Sequence, residues 1–112
     1  MPRFAILDHD HPVQHWDFLL EAGDVLRAWR LASEPVCGQT IAAAALPDHR
    51  RTYLEFEGPV SGSRGRVIRW DAGTFEWLHD SEHEVRIRLV GERISGMVTL
   101  RRTAGRWEWF CA

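Results

Sequence analysis

The stretch from Asp8 to Glu21 reads Asp-His-Asp-His-Pro-Val-Gln-His-Trp-Asp-Phe-Leu-Leu-Glu, and it sets how the flanking sequence is interpreted. From His15 onward, polar and apolar residues alternate. Because successive side chains of a strand point to opposite faces, this period of two predicts a half-buried β-strand. One face of that strand carries His15 and Asp17. The other face is apolar and consists of Trp16, Phe18 and Leu20.

The polar residues of this stretch are spaced to bind a metal ion. His15 and Asp17 point the same way, so an imidazole nitrogen and a carboxylate oxygen can converge on one cation at about 2.0 to 2.2 Å. Pro12 favours a turn that folds His9 back beside His15, although His11 competes for that position. Two histidines and one carboxylate leave coordination positions open for water or a phosphate oxygen. We expect His9, His15 and Asp17 to bind a divalent ion; the alternative is a surface loop with incidental histidines.

The composition is that of one globular domain, which we expect to span residues 1–112. Hydrophobic residues make up 45% and charged residues 27% of the chain, as is ordinary for a folded protein. The formal net charge of −2 supplies no global basic field for nucleic acid, so such binding would need a local patch. All fourteen basic residues are arginines, whose planar guanidinium groups suit phosphate wherever they cluster.

The N-terminus and the cysteines bear on the cellular compartment. No run approaches eighteen apolar residues, and the N-terminus lacks the pattern of a signal peptide, so we expect a cytoplasmic protein without membrane contact. Cys37 and Cys111 fit neither a CxxC motif nor a zinc-binding pattern. In a cytoplasmic chain, two such cysteines are predicted to be free thiols rather than a disulfide.

Short apolar or alternating segments recur along the whole chain. Strands are predicted at Phe4–Leu7, His15–Ala22, Val25–Leu31, Leu54–Val60, Val67–Trp70, Thr74–Leu78, Glu84–Val90, Ile94–Arg101 and Arg106–Phe110. Asp71-Ala72-Gly73 is interpreted as a turn between two of them. The segment Thr40–Leu46 is ambiguous, because four alanines favour helix while the following Pro47 allows an edge strand. The spacing predicts a mainly β fold, an antiparallel barrel or sandwich with at most one or two short helices.

A second stretch with candidate functional side chains follows this ambiguous segment. If Asp48 caps a single helical turn, His49 and Tyr53 lie four residues apart on one face, with Arg50 and Arg51 nearby. That arrangement would suit a phosphate group. The alternative is an exposed polar turn in which Tyr53 packs at the rim.

Two loops carry further charged residues. Ser61–Arg66 is a flexible connection whose Arg64 and Arg66 could contact a nucleic-acid backbone, although the segment favours an ordinary solvated loop. His79–His83 contains two histidines four residues apart with acidic residues between them. Because it lies between predicted strands, we interpret it as a polar turn.

Several motifs occur in a fixed order along the chain: His9-Asp10, His15-Trp16-Asp17-Phe18-x-Leu20-Glu21, Gly23, Val25-Leu26-x-x-Trp29, Asp48-His49-x-x-x-Tyr53, Phe56-Glu57-Gly58, Trp70-Asp71-x-Gly73-Thr74, Gly91-x-Arg93-Ile94-x-Gly96, Leu100 and Trp107. Together they resemble the 3′-phosphoesterase domain found at the N-terminus of bacterial DNA ligase D and as free-standing proteins. The resemblance implies a β-barrel-like fold and a manganese-dependent enzyme that removes a 3′-phosphate or a 3′-terminal ribonucleoside during DNA break repair. It also implies that His9, His15 and Asp17 bind the metal, and that His49 and Tyr53 contact the phosphate.

Two positions depart from the pattern of that family. The arginine expected two residues beyond Asp17 is Leu19, and the arginine expected eight residues before His49 is Ile41. Each fixed donor at such a site is commonly worth about 3 to 4 kcal/mol of transition-state stabilisation. Compensation would have to come from other positions, and the candidates are Arg50, Arg51 and Arg64.

Two hypotheses of function follow. The first is a phosphoesterase that uses manganese, or another divalent transition metal, on a nucleic-acid 3′ end or a related phosphate ester. The second is a catalytically silent relative that binds DNA ends or a partner such as a DNA repair ligase or polymerase. A third interpretation takes His15-x-Asp17 and a further histidine as the iron triad of an oxygenase, although in that class the last histidine normally lies far downstream.

Overall fold

The fold is described by a computed structural model that covers all 112 residues. It contains nine β-strands in one antiparallel sheet and a single 3-10 helix. In chain order these are β1 (Arg3–His9), β2 (His15–Ala22), β3 (Val25–Leu31), β4 (Ile41–Arg50), the 3-10 helix (Arg51–Leu54), β5 (Gly58–Pro59), β6 (Arg66–Asp80), β7 (Glu84–Gly91), β8 (Ser95–Thr103) and β9 (Arg106–Cys111). No helix of the structure is both long and apolar enough to cross a membrane.

The sheet closes on itself, which confirms the predicted antiparallel barrel and excludes the sandwich. Its strand order is β1-β2-β3-β4-β9-β8-β7-β6-β5, and β1 pairs with β6 as well as with β2. Eight strands therefore form the closed wall, and the two residues of β5 pair with the start of β6. Closure leaves every long strand hydrogen-bonded on both sides.

Alternation along the strands produces two separate apolar clusters. The inner core fills the barrel with sixteen buried residues, and its largest fully buried members are Phe4, Phe18, Phe75 and Trp109. The outer core lies on the other face of the sheet and has seven members, Ala5, Leu7, Leu19, Leu26, Ala28, Leu54 and Val67. Residues 46–60, including the 3-10 helix, cover this outer face. As a result β2 is buried on both faces from His15 to Leu20, rather than half-buried as the alternation predicts.

The early strands match the sequence closely and the middle of the chain does not. The bounds of β2 and β3 agree with the prediction residue for residue. The ambiguous alanine segment is part of β4, where it pairs with β3 and, over Ile41–Ala43, with β9. Asp48 lies inside β4 and the helix begins at Arg51, so the predicted cap at Asp48 is wrong. The predicted strand Leu54–Val60 is also wrong, because Leu54 turns into the outer core and only Gly58–Pro59 pair.

The predicted turn at Asp71-Ala72-Gly73 is instead the middle of the 15-residue strand β6. The Asp71 carboxylate is buried and accepts hydrogen bonds from the backbone N–H groups of Glu92, Arg93 and Ile94 at 2.9, 3.2 and 3.0 Å. Gly73 is required because a Cβ there would overlap the backbone oxygen of Val90. These residues suggest a turn by composition, yet they hold the distant β7–β8 connection against the barrel wall.

The prediction of free thiols is wrong, because Cys37 and Cys111 form a disulfide. Their Cα atoms lie 4.5 Å apart, within the range that a disulfide spans. The backbone N–H of Gly38 also donates to the carbonyl of Cys111 at 2.7 Å. The loop before β4 therefore returns to the last strand, a contact between residues 74 positions apart that spacing alone does not reveal.

Candidate metal centre and adjoining groove

Strands β1 and β2 bring His9, His15 and Asp17 together on the outer face of the barrel. His9 lies directly opposite His15 in the strand register, and Asp17 follows two residues later on the same face of β2. One potential ligand atom from each side chain lies within 4.8 Å of the other two. His15 and Asp17 are only 2% and 5% exposed, whereas His11 is exposed and outside the cluster. Of the two competing histidines, the structure therefore brings His9, and not His11, into the cluster.

Backbone carbonyls fix which nitrogen of each histidine faces Asp17. Nδ1 of His15 donates to the carbonyl of Val13 at 2.9 Å, and Nε2 of His9 donates to the carbonyl of Arg64 at 2.7 Å. The remaining nitrogens face the carboxylate, with Nε2 of His15 at 3.0 Å from Oδ1 and Nδ1 of His9 at 3.2 Å from Oδ2. This is the arrangement typical of metal-binding histidines, which donate their other N–H to a carbonyl or carboxylate.

A cation is needed to make this cluster favourable. In a neutral imidazole the nitrogen that faces Asp17 presents a lone pair, as does the carboxylate oxygen. Oδ1 of Asp17 is buried and has no hydrogen-bond donor in suitable geometry, although Nε2 of His15 is close. Either a proton on a ring or a shared metal ion resolves this conflict. The donor set of two imidazoles and one carboxylate, with open positions, fits a divalent transition metal.

The electrostatics of His15 indicate the same preference for positive charge. Burial of the ring lowers the pKa of His15, but hydrogen bonding to the Asp17 carboxylate and to the Val13 carbonyl outweighs it, so the pKa is raised above its ordinary value. The positive charge of Arg30 acts in the opposite direction and lowers it. The cluster therefore stabilises a cation at the position between the rings and the carboxylate.

A groove of about 680 Å³ adjoins the cluster and contains His49 and Tyr53. The two rings meet edge to face with centroids 5.6 Å apart, and Phe56 lies 5.5 Å from Tyr53 in the same manner. Nδ1 of His49 donates to the carbonyl of Pro47 at 2.9 Å, which leaves Nε2 without a protein partner. The predicted proximity of His49 and Tyr53 is confirmed, although it arises from the end of β4 and the 3-10 helix together.

The four arginines predicted to bind phosphate occupy different positions. Arg50 and Arg64 line the groove. Arg51 forms an ion pair with Glu21 instead, and Arg66 is exposed at the start of β6 outside the groove lining. Arg64 also links the two parts of the site, because its carbonyl accepts from His9 while the residue lines the groove, where its guanidinium donates to Ser61.

The positions that depart from the resemblance are buried. Leu19 is a fully buried member of the outer core, and Ile41 is a fully buried member of the inner core. Sequence reasoning missed Arg30, which lies opposite Asp17 on β3. The signal was present in the hairpin register, since a two-residue Gly23-Asp24 turn between β2 and β3 pairs these two positions.

The chain matches the model of a known protein family over most of its length. The family model described as the DNA ligase D 3′-phosphoesterase domain matches residues 7–102. The chain belongs to this family. The matched region contains the whole His9, His15 and Asp17 cluster and the entire lining of the groove, and it ends before β9.

The relatives of this chain are much longer proteins, and the chain matches only a segment of each. The chain is 38% identical over 114 residues to the multifunctional non-homologous end joining DNA repair protein LigD of Mycobacterium tuberculosis strain H37Rv, covering 93% of this chain and 15% of that protein. It is 31% identical over 121 residues to the multifunctional non-homologous end joining protein LigD of Pseudomonas aeruginosa strain PAO1, covering 96% of this chain and 14% of that protein. The chain thus spans a small fraction of the length of these relatives.

Proposed function

We propose that this chain is a metal-dependent phosphoesterase that processes 3′ ends of nucleic acid in DNA repair. The observation that carries the proposal is the convergence of His9, His15 and Asp17, with both imidazoles oriented by backbone carbonyls, beside a groove that contains His49 and Tyr53. Membership of the 3′-phosphoesterase family and the DNA repair names of the relatives support the substrate class. The proposed substrates are a 3′-phosphate or a 3′-terminal ribonucleoside.

His9, His15 and Asp17 would hold the metal, which we propose to be manganese or another divalent transition metal. When bound, such an ion supplies a Lewis acid for a phosphate oxygen. The two backbone carbonyls hold the imidazoles so that their other nitrogens face the Asp17 carboxylate, where the ion would bind. Burial of His15 and Asp17 keeps bulk water away and strengthens the local electrostatics.

His49 and Tyr53 would act on the phosphate from the groove. The Pro47 carbonyl holds Nδ1 of His49, so its Nε2 is the atom available to donate a hydrogen bond or a proton. Tyr53 contributes a phenolic hydroxyl on the same side, fixed by its edge contacts to His49 and Phe56. Arg50 and Arg64 add positive charge to the groove walls.

The proposal is tested by hydrolysis of defined 3′ ends. A DNA primer with a 3′-phosphate, and a second with one 3′-terminal ribonucleotide, are incubated with the protein and Mn²⁺. We expect metal-stimulated product from the wild type, loss of product with His15→Ala, and retention with His83→Ala, an exposed histidine outside the cluster. Equal product from the wild type and His15→Ala would show that the cluster is not the active site.

A second function is favoured by one specific observation. Leu19 and Ile41 are fully buried where the family resemblance leads us to expect arginines, so neither position offers a cation to a phosphate. Loss of these donors suits a member that binds a DNA end, or a repair ligase or polymerase, without turnover. Specific binding of the 3′-phosphorylated primer together with no product in Mn²⁺ would support this function, and any His15-dependent product would exclude it.

A further inference from the structure

Arg30 lies next to the metal cluster but belongs to neither predicted set of site residues. In the antiparallel register of β2 and β3 it is directly opposite Asp17. Side chains of directly opposed residues share one face of the sheet, with Cβ atoms about 4.5 to 5.5 Å apart. Arg30 therefore extends from the outer face of the barrel, on the side of Asp17 that β1 does not occupy.

The guanidinium of Arg30 lacks a partner in the protein. Its Nε is buried without a hydrogen-bond acceptor, and the side chain takes part in no ion pair. Arg27 and Arg86 are also part-buried, but each forms an ion pair, Arg27 with Asp80 at 3.0 Å and Arg86 with Glu84 at 2.9 Å, although Arg86 Nε likewise lacks a hydrogen bond of suitable geometry. A buried N–H of a cation without an acceptor is unfavourable. Because Arg30 forms no ion pair within the chain, its positive charge is available to an anion from outside it.

Asp17 does not supply an acceptor for Arg30. Its two carboxylate oxygens are directed at His15 and His9, at 3.0 and 3.2 Å. The partner of Arg30 on its other side is Ala44 of β4, which is exposed and offers only a methyl group. Arg30 thus has the cluster on one side and a small, exposed residue on the other.

We propose that Arg30 is the anion-binding residue of the metal centre and that the N–H groups of its two Nη atoms bind two oxygens of a phosphate group. Planar guanidinium groups bind phosphate in this bidentate manner, with geometry that lysine cannot reproduce. Arg30 would then provide, from β3, a fixed cation that Leu19 cannot provide from β2. The identity of the ligand as phosphate rests on the proposed function, whereas the binding itself does not require turnover.

The direct test observes the Nε–H of Arg30 by NMR in the full chain. The signal is assigned by its loss in Arg30→Lys, and inorganic phosphate is titrated in the presence of Mg²⁺. We expect the Arg30 signal to shift with phosphate, while that of Arg88, an exposed arginine on β7, does not move. An Arg30 signal that stays constant throughout the titration overturns the proposal.

Variants separate anion binding from a structural role. Arg30→Met keeps the apolar stem of the side chain and is expected to weaken phosphate binding by about 10- to 100-fold, the range of a charge-assisted hydrogen bond. Arg30→Lys keeps the charge without the planar guanidinium and should be intermediate, while Arg88→Met should match the wild type. Because an unpartnered N–H is removed, we expect the Tm of Arg30→Met to be unchanged or higher. A lower Tm with unchanged phosphate affinity would assign Arg30 a purely structural role and overturn the proposal.

The outcome is distinguishable from that of the proposed function. Phosphate binding through Arg30 without hydrolysis of a 3′-phosphorylated primer would uphold this inference and reject the enzyme. Hydrolysis with the same KM in the wild type and Arg30→Met would uphold the enzyme and reject the inference.

Discussion

The two faces of β2 are both buried, yet they serve different purposes. The inner face presents Trp16, Phe18 and Leu20 to the interior of a closed barrel, where every neighbour is apolar. The outer face carries His15 and Asp17 before it continues into the outer core. The inner face therefore builds the core of the barrel, whereas the outer face carries the candidate site, which lies between the barrel wall and the residues that cover it.

The outer cover is the smaller of the two packing layers. The inner core has sixteen buried members from strands all around the barrel, and the outer core has seven. Residues 46–60 provide most of the cover through the buried Leu54 and the part-buried Leu46, Tyr53, Phe56 and Val60. The smaller number of buried side chains on this face leaves room for a groove. The cover still excludes enough water to strengthen the electrostatic interactions within the cluster.

The largest loss of stability is expected from a substitution on the inner face of β2. Phe18 is fully buried and packs against Phe4 and Trp109, with ring centroids 6.4 and 6.0 Å away. Phe18→Ala should lower the free energy of unfolding by about 3 to 5 kcal/mol, because it leaves a cavity inside a closed barrel. Urea denaturation measures this, with the partly exposed Phe110→Ala as a control near the wild type. Equal losses from both variants would contradict the distinction between the two faces.

Substitution of Asp17, which precedes Phe18 on β2, should lower activity strongly and stability only slightly. Asp17→Asn removes the negative charge between two imidazoles but keeps the size of the side chain. We expect metal-stimulated hydrolysis to fall by about 100-fold or more, while the free energy of unfolding changes by less than about 1 kcal/mol. Primer hydrolysis and urea denaturation on the same preparations test the pair of outcomes. A variant that is much less stable but equally active would reverse the roles assigned to the two faces.

A smaller loss of stability is expected from a substitution in the outer cover. Leu54 is the buried anchor of the 3-10 helix that positions Tyr53. Leu54→Ala should lower the free energy of unfolding by about 2 kcal/mol, at the low end for leucine because the groove beside it allows some collapse. It should also raise the KM for the primer, since the ring of Tyr53 is less firmly placed. The partly exposed Leu78→Ala is the matched control, and a KM unchanged by Leu54→Ala would separate the cover from the site.

The smallest effect on stability is expected from a substitution of Glu21, near the end of β2. Hydrogen bonds from the Arg3 backbone N–H and the Arg51 side chain lower the pKa of Glu21, against the opposing effect of burial. A lowered folded-state pKa stabilises the protein above the ordinary value of about 4.3, and the stabilisation is lost as pH falls through the folded value. Because Arg51 is largely exposed, the contribution should be below about 1 kcal/mol.

Glu21→Gln should therefore be slightly less stable than the wild type at neutral pH and equal to it in acid. Unfolding free energies measured across the acidic range test this sign. A difference that grows as pH falls would show that Glu21 is not stabilised by its partners. The isosteric Glu55→Gln, at an exposed position paired with Arg3, is the matched control and should have a free energy of unfolding close to that of the wild type at neutral pH.

Much of the site was predictable because its geometry is local. His15 and Asp17 are two residues apart on a strand, and that spacing alone places them on one face. His9 required only one tight connection to return beside His15, and the structure has that connection. Arg30 was missed because the alternation within β2 says nothing about its neighbour, although the two-residue turn of the predicted hairpin places Arg30 opposite Asp17.

The sequence by itself determined the strand alternation of β2 and β3, the spacing of the cluster and the family of the chain. These features depend on neighbouring residues and on ordered motifs. The tertiary structure decided the closure of β1 on β6, the position of Asp71 inside a long strand, and the disulfide between Cys37 and Cys111. Each of these joins segments far apart in the chain, and local periodicity carries no information about which distant segments meet.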